Sequence, residues 1–189
     1  MTRLPRSIAT AITVLGMILG LVLLSPPDAR ADDLGISAFY GHWKGSALSQ
    51  SEISLYFQLT ARDIDVKVGP LDGGGFRLTW ATVQRQKGDP DQPKETLKTT
   101  TVDFVPTTRA GVWRTTATND PMSGHPYVWA RLAKTTLSVY SMGITVDGAY
   151  EMQVYKRTLT PQGMKLVFTR VVDGETVRRA EGQLIKFSN

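Results

Sequence analysis

From Phe39 onward, apolar and polar side chains alternate with a period of two. Ile64, Val66 and Val68 alternate with Asp63, Asp65 and Lys67, and Phe76, Leu78 and Trp80 with Arg77, Thr79 and Ala81. Later in the chain Tyr150, Met152 and Val154 alternate with Glu151, Gln153 and Tyr155. Met164, Leu166 and Phe168 alternate with Lys165 and Thr169, with Val167 as an interruption. This period describes β-strands with one face on a core and the other in water. The runs are rich in valine and threonine, which suit a pleated surface. No window after residue 31 shows a 3.6-residue apolar period. Any helix is therefore short, near Asp32 to Phe39 or Ser49 to Ser54.

Turn residues punctuate the runs. Asp147-Gly148 and Asp173-Gly174 are two-residue hairpin signals. Thr160-Pro161-Gln162-Gly163 places proline where a type I or II turn accepts it. Ala133-Lys134 and Gly73-Gly74-Gly75 mark further reversals, and two proline-bearing loops lie at 88–93 and 119–126. The strands expected between these marks are 39–47, 53–59, 62–69, 75–87, 95–105, 110–116, 127–133, 136–146, 149–159, 164–172 and 175–187. Two of the early ones join if the chain there forms one bent strand. Long consecutive strands joined by short hairpins predict an all-β fold, a single antiparallel up-and-down β-barrel of about eight to ten strands.

The first 31 residues read differently. Arg3 and Arg6 precede an apolar run from Ile8 to Leu24, Pro26-Pro27 breaks it, and Ala29-Arg30-Ala31 offers small residues at a cleavage site. This order predicts a cleavable Sec-type signal peptide over 1–31, a barrel domain over 32–189, and a periplasmic or secreted protein with no stable membrane anchor after cleavage. The 189 residues contain no cysteine, which excludes disulfides, thiol nucleophiles and thiolate metal sites. Formal net charge is +5, of which Arg3, Arg6 and Arg30 against Asp28 supply +2. The basic residues are scattered, so no nucleic-acid partner is expected.

The first strand reads Phe39-Tyr40-Gly41-His42-Trp43-Lys44-Gly45-Ser46. Its Gly41-x-Trp43 step, at the start of a β meander, resembles the opening motif of the lipocalin and avidin-like barrels, the calycins. The resemblance implies a tryptophan packed at the closed end of a barrel beneath a basic side chain from a late strand, here Arg178, Arg179 or Lys186. The disulfides and C-terminal helix of typical lipocalins are absent from this sequence.

Candidate chemistry is sparse. His42 falls opposite the Trp43 face, and His125 sits in the loop Ser123-Gly124-His125-Pro126. No His-x-His, His-Glu-x-x-His or Gly-x-Ser-x-Gly pattern occurs, so neither a zinc site nor a serine-hydrolase elbow is predicted. No catalytic residue and no cofactor are assigned. Asp63 and Asp65 alternate opposite the apolar set and are expected outside. The aromatic positions carry more information. Phe76, Trp80, Trp129, Tyr150 and Met152, with Arg131 beside Trp129 to orient an acidic group, form the expected ligand-binding set if the barrel encloses a cavity. The leading expectation is a barrel holding a small apolar or amphipathic ligand. The second is a filled barrel acting as an envelope structural or interaction protein. A third is an isomerase or hydrolase built on the loop around His125.

Overall fold

A computed structural model describes residues 34–53, 59–85 and 95–188. The expected signal peptide, most of the expected strand 53–59 and the loop 88–93 lie outside the described residues. A short 3-10 turn, Ile36–Phe39, leads into ten strands: β1 Gly41–Ser51, β2 Leu59–Leu71, β3 Gly75–Arg85, β4 Glu95–Pro106, β5 Val112–Thr115, β6 Tyr127–Ala133, β7 Thr136–Ile144, β8 Tyr150–Thr160, β9 Gly163–Val172 and β10 Glu175–Ser188. Each strand pairs antiparallel with its sequence neighbour, and β10 pairs with β1 to close the barrel. Closure leaves no free sheet edge among these strands, which removes the usual route to edge-to-edge association.

Of the two hairpin signals, Asp173-Gly174 forms the two-residue turn expected, whereas Asp147-Gly148 lies in a five-residue loop between Ile144 and Tyr150, closed by the Thr145 and Ala149 backbones, in which only Gly148 has positive φ. Asp173 and Gly174 both have positive φ, 46° and 88°, the conformation a primed two-residue turn requires. Lys134, with φ 53°, and Thr135 form the β6–β7 turn, one residue later than the Ala133-Lys134 expectation. The alternative helix at Ser49 to Ser54 is not formed over Ser49–Ser51, which belong to β1. Pairing with β2 on one side and β10 on the other carries the strand through Ser51.

The barrel has two unlike halves. At one end Phe39, Trp43, Val68, Phe76, Leu78, Phe104, Leu137, Met164 and Leu184 are buried and fill the lumen. Trp43 Nε1 donates to the Phe39 carbonyl at 2.9 Å, tying the 3-10 turn across this end. Lys186 Nζ stands 5.6 Å from the Trp43 ring, so of the three cations the calycin resemblance implied, Lys186 takes the place over the ring. At the other end the inner wall carries few large apolar residues.

The seam between β1 and β10 is unusually close. Gly45 faces Leu184 and Gly182 faces Ala47. A Cβ on Gly45 would fall 2.0 Å from the Gln183 carbonyl oxygen, and one on Gly182 would fall 2.5 Å from that of Ser46. With Ala47, Ser49 and Ala180 nearby on the same inner wall, this side of the lumen is lined by small residues.

Candidate functional site

Strand parity decides which side chains enter the lumen. In β3, Phe76 and Leu78 are fully buried and Trp80 follows them inward. From the far wall Tyr155 of β8 reaches Trp80, with ring centroids 5.4 Å apart, and stacks obliquely on Phe168 of β9 at 4.6 Å. Tyr155 is therefore inside, and with it Glu151, Gln153 and Arg157.

This corrects the expected ligand set. Tyr150, Met152 and Val154 have the opposite parity and lie on the outer face, where Tyr150 is 45% exposed. Trp129 and Arg131 are also outside, because the buried Ala130 pairs with the buried Val139. Trp129 instead stacks on the outward Tyr140, centroids 4.9 Å apart. Phe76 and Trp80 are where they were expected, Phe76 in the apolar floor and Trp80 above it. The physical reason for the exchange is that the upper lumen is polar. A polar alternate set such as Glu151, Gln153 and Arg157 then turns inward, and its apolar counterpart covers the outside.

Going up β8 from the floor, the lumen presents Leu159, Arg157, Tyr155, Gln153 and Glu151. Arg157 is 1% exposed and lies 5.5 Å from the Trp80 ring and 5.7 Å from the Tyr155 ring. Its Nε and Nη1 are buried and meet no hydrogen-bond acceptor among the described residues. Burial lowers its pKa to about 10, against a smaller upward pull from Tyr155, so it is a cation at neutral pH. Burial raises the Tyr155 phenol in turn. Tyr155 donates its hydroxyl to Gln153 at 2.8 Å, and Gln153 and Arg170 both donate to Glu151. Burial works to raise the Glu151 carboxyl, but these bonds and the charges of Arg170 and Lys98 outweigh it and hold it below its ordinary value.

Further cations face inward at the upper end. Arg178 pairs across strands with Arg170, and burial followed by the Arg178 charge depresses Arg62. Arg62 Nε and Arg170 Nε are buried with no hydrogen-bond partner among the described residues. Four inward guanidinium groups and Lys98, which pairs with the inward Thr82, thus meet two carboxylates on the inner face among the described residues, Glu151 and the exposed rim residue Glu175, both opposite Val172. Around them Arg62, Trp80, Thr82, Gln153, Phe168 and Arg178 all remain partly exposed although they point into the lumen. Solvent therefore enters the barrel from this end.

Two other regions were candidates. The loop between β5 and β6 rims the same end, and it is held by Asp120, which accepts from the Met122 backbone N–H and the Ser123 hydroxyl. His125 in this loop is exposed. A hollow of about 500 Å³ on the outer face of β1–β4 is lined by Lys44, Asp63, Asp65, Lys67 and their apolar neighbours. Its carboxylates are engaged: His42 lies 2.7 Å and Lys44 3.9 Å from Asp65, and Asp63 also has a partner. Asp63 and Asp65 are outside, as alternation predicts. Arg157, Tyr155 and Gln153 are the inner residues that sequence reading missed. The two-residue turn Pro161-Gln162 pairs Leu159 with Met164, Arg157 with Leu166 and Tyr155 with Phe168. Since Met164, Leu166 and Phe168 read as an inner set, that register was a usable signal.

No family model and no curated protein matches the chain. Among solved structures, a protein of unknown function from the DUF3598 family of Nostoc punctiforme superposes with a TM-score of 0.54 at 15% identity. The match covers 81% of this chain and 49% of that protein, so the chain spans about half the length of its neighbour. An S-type phycobiliprotein lyase from Guillardia theta gives a TM-score of 0.38 at 7% identity, covering 82% of this chain and 94% of that one. The likeness to the Nostoc protein concerns the fold alone, an antiparallel closed barrel.

Proposed function

We propose that the protein is a small-molecule binding barrel, acting in the periplasm or outside the cell, that takes an amphipathic ligand into its upper lumen. The observation that carries this reading is the partial exposure of inward residues around the Trp80–Tyr155–Phe168 aromatic belt. A barrel filled to its rim buries such residues, whereas one with internal space leaves them in contact with solvent. The aromatic belt supplies apolar contact area, and the polar groups above and below it supply orientation. The order of residues 1–31 supports the location.

The test is uptake of N-phenyl-1-naphthylamine, an uncharged apolar fluorophore, by wild-type protein and by Trp80→Ala. The reading expects a saturable fluorescence increase at one probe per chain and at least tenfold weaker binding by the variant. Circular dichroism should show the variant folded, because a partly exposed ring has fewer neighbours to lose than a fully buried one. Absence of uptake by the wild type would favour the filled-barrel interaction protein instead.

A further inference from the structure

Arg157 is an arrangement that folding alone does not explain. A buried cation is normally paired or hydrogen-bonded, because an uncompensated charge in a low-dielectric interior is unfavourable. Here the guanidinium is 1% exposed, and two of its nitrogens lack any acceptor among the described residues. The nearest inward carboxylate along its own strand, Glu151, lies six positions toward the mouth and is engaged by Arg170 and Gln153. The rings of Trp80 and Tyr155 cover Arg157 and offset part of the penalty through cation–π attraction. They leave its Nε and Nη1 donors unused, since a ring face attracts the charge without accepting those bonds.

Resting on the reading of the lumen as a ligand cup, we infer that its floor is a carboxylate subsite: Arg157 takes the acid group of an amphipathic ligand whose apolar body lies along Trp80, Tyr155 and Phe168. The acid enters first. Arg62, Arg170 and Arg178 give the mouth an excess of positive charge that draws an anion inward. The aromatic belt then contacts the body, and the orphan donors of Arg157 meet the head. A carboxylate suits the position because a guanidinium presents several N–H groups in one plane to its two oxygens.

The experiment compares 11-(dansylamino)undecanoic acid with its methyl ester, which has the same fluorophore and chain but no charge. Both are titrated into wild-type protein, Arg157→Met and Arg157→Lys. The wild type should prefer the acid by roughly tenfold to a hundredfold, the range for a hydrogen bond to a charged group. Arg157→Met should abolish that preference while leaving ester affinity within about threefold, and Arg157→Lys should retain part of it. Equal binding of acid and ester by the wild type overturns the carboxylate subsite and leaves the cup intact. Undiminished acid preference in Arg157→Met overturns the assignment to Arg157. Failure of the wild type to bind either probe removes the cup itself and the inference with it. Should Arg157→Met not fold, the wild-type comparison and Arg157→Lys decide.

Discussion

Replacing Arg157 with methionine should make the ligand-free protein more stable. Burial lowers the arginine pKa well below its ordinary value, to about 10. Each pKa unit corresponds to about 1.4 kcal/mol, so the charged form is disfavoured in the fold by about 3 kcal/mol. The contacts to Trp80 and Tyr155 return roughly 0.5–2 kcal/mol of that. Methionine is long and flexible enough to fill much of the space of the arginine stem. The net expectation is a gain of about 1–3 kcal/mol, or a melting temperature higher by roughly 2–4 °C per kcal/mol in a chain of this size. The sign fixes the pH dependence too. Because the folded pKa is depressed, the penalty is fully present below about pH 10 and fades only as pH rises above it toward the ordinary arginine value. The difference between variant and wild type should therefore be constant across neutral pH. Urea unfolding followed by tryptophan fluorescence, in ligand-free protein at pH 7, measures it. A variant less stable by more than about 1 kcal/mol would refute the reasoning, since it would mean that the guanidinium is satisfied within the fold.

Two further outcomes test other parts of the structure. Gly45→Val and Gly182→Val should each lower stability by about 3 kcal/mol or more, because their side chains would meet backbone across the β1–β10 seam; thermal melts by circular dichroism check this, and near-neutral variants would mean that the seam is looser than described. Glu151 has a depressed carboxyl, so the stability from its Arg170 pairing is present above about pH 4.5 and lost as pH falls through the lower folded value; Glu151→Gln should flatten the acid side of the stability profile, and an unchanged profile would show that the pair contributes nothing.

The fold was legible because hairpin chemistry and strand period are local. Asp173-Gly174 specifies its turn through two positive φ angles, whatever surrounds it. The inner face was legible only where the lumen is dry. In β3 the floor is apolar, so Phe76, Leu78 and Trp80 point inward as their hydrophobicity dictates. In β8 the two alternating sets are Tyr150, Met152, Val154 and Glu151, Gln153, Tyr155, Arg157. Hydrophobicity alone selects the first set, and the wet upper lumen selects the second. The same applies to β6, where Val128 and Ala130 enter and Trp129 stays out to stack on Tyr140. Period specifies two faces, and only register against an already oriented neighbour says which one is inside. Arg157 could not be told from the adjacent Lys156 by composition or charge. It is set apart by its pairing with Leu166, a long-range relation that a short window cannot carry.

For the ligand-binding barrel proposed above, the plug made by Phe39, Trp43 and Leu184 has a kinetic consequence. A vessel sealed at one end has a single doorway, so a newcomer cannot push an occupant out through the back. Exchange must be dissociative: the occupant departs before its successor enters. In a chase experiment the release rate should then be independent of competitor concentration, and it should follow the motions of the rim alone. Residence time becomes a property of the doorway, adjustable by changes at the β5–β6 loop that leave the depth of the barrel untouched.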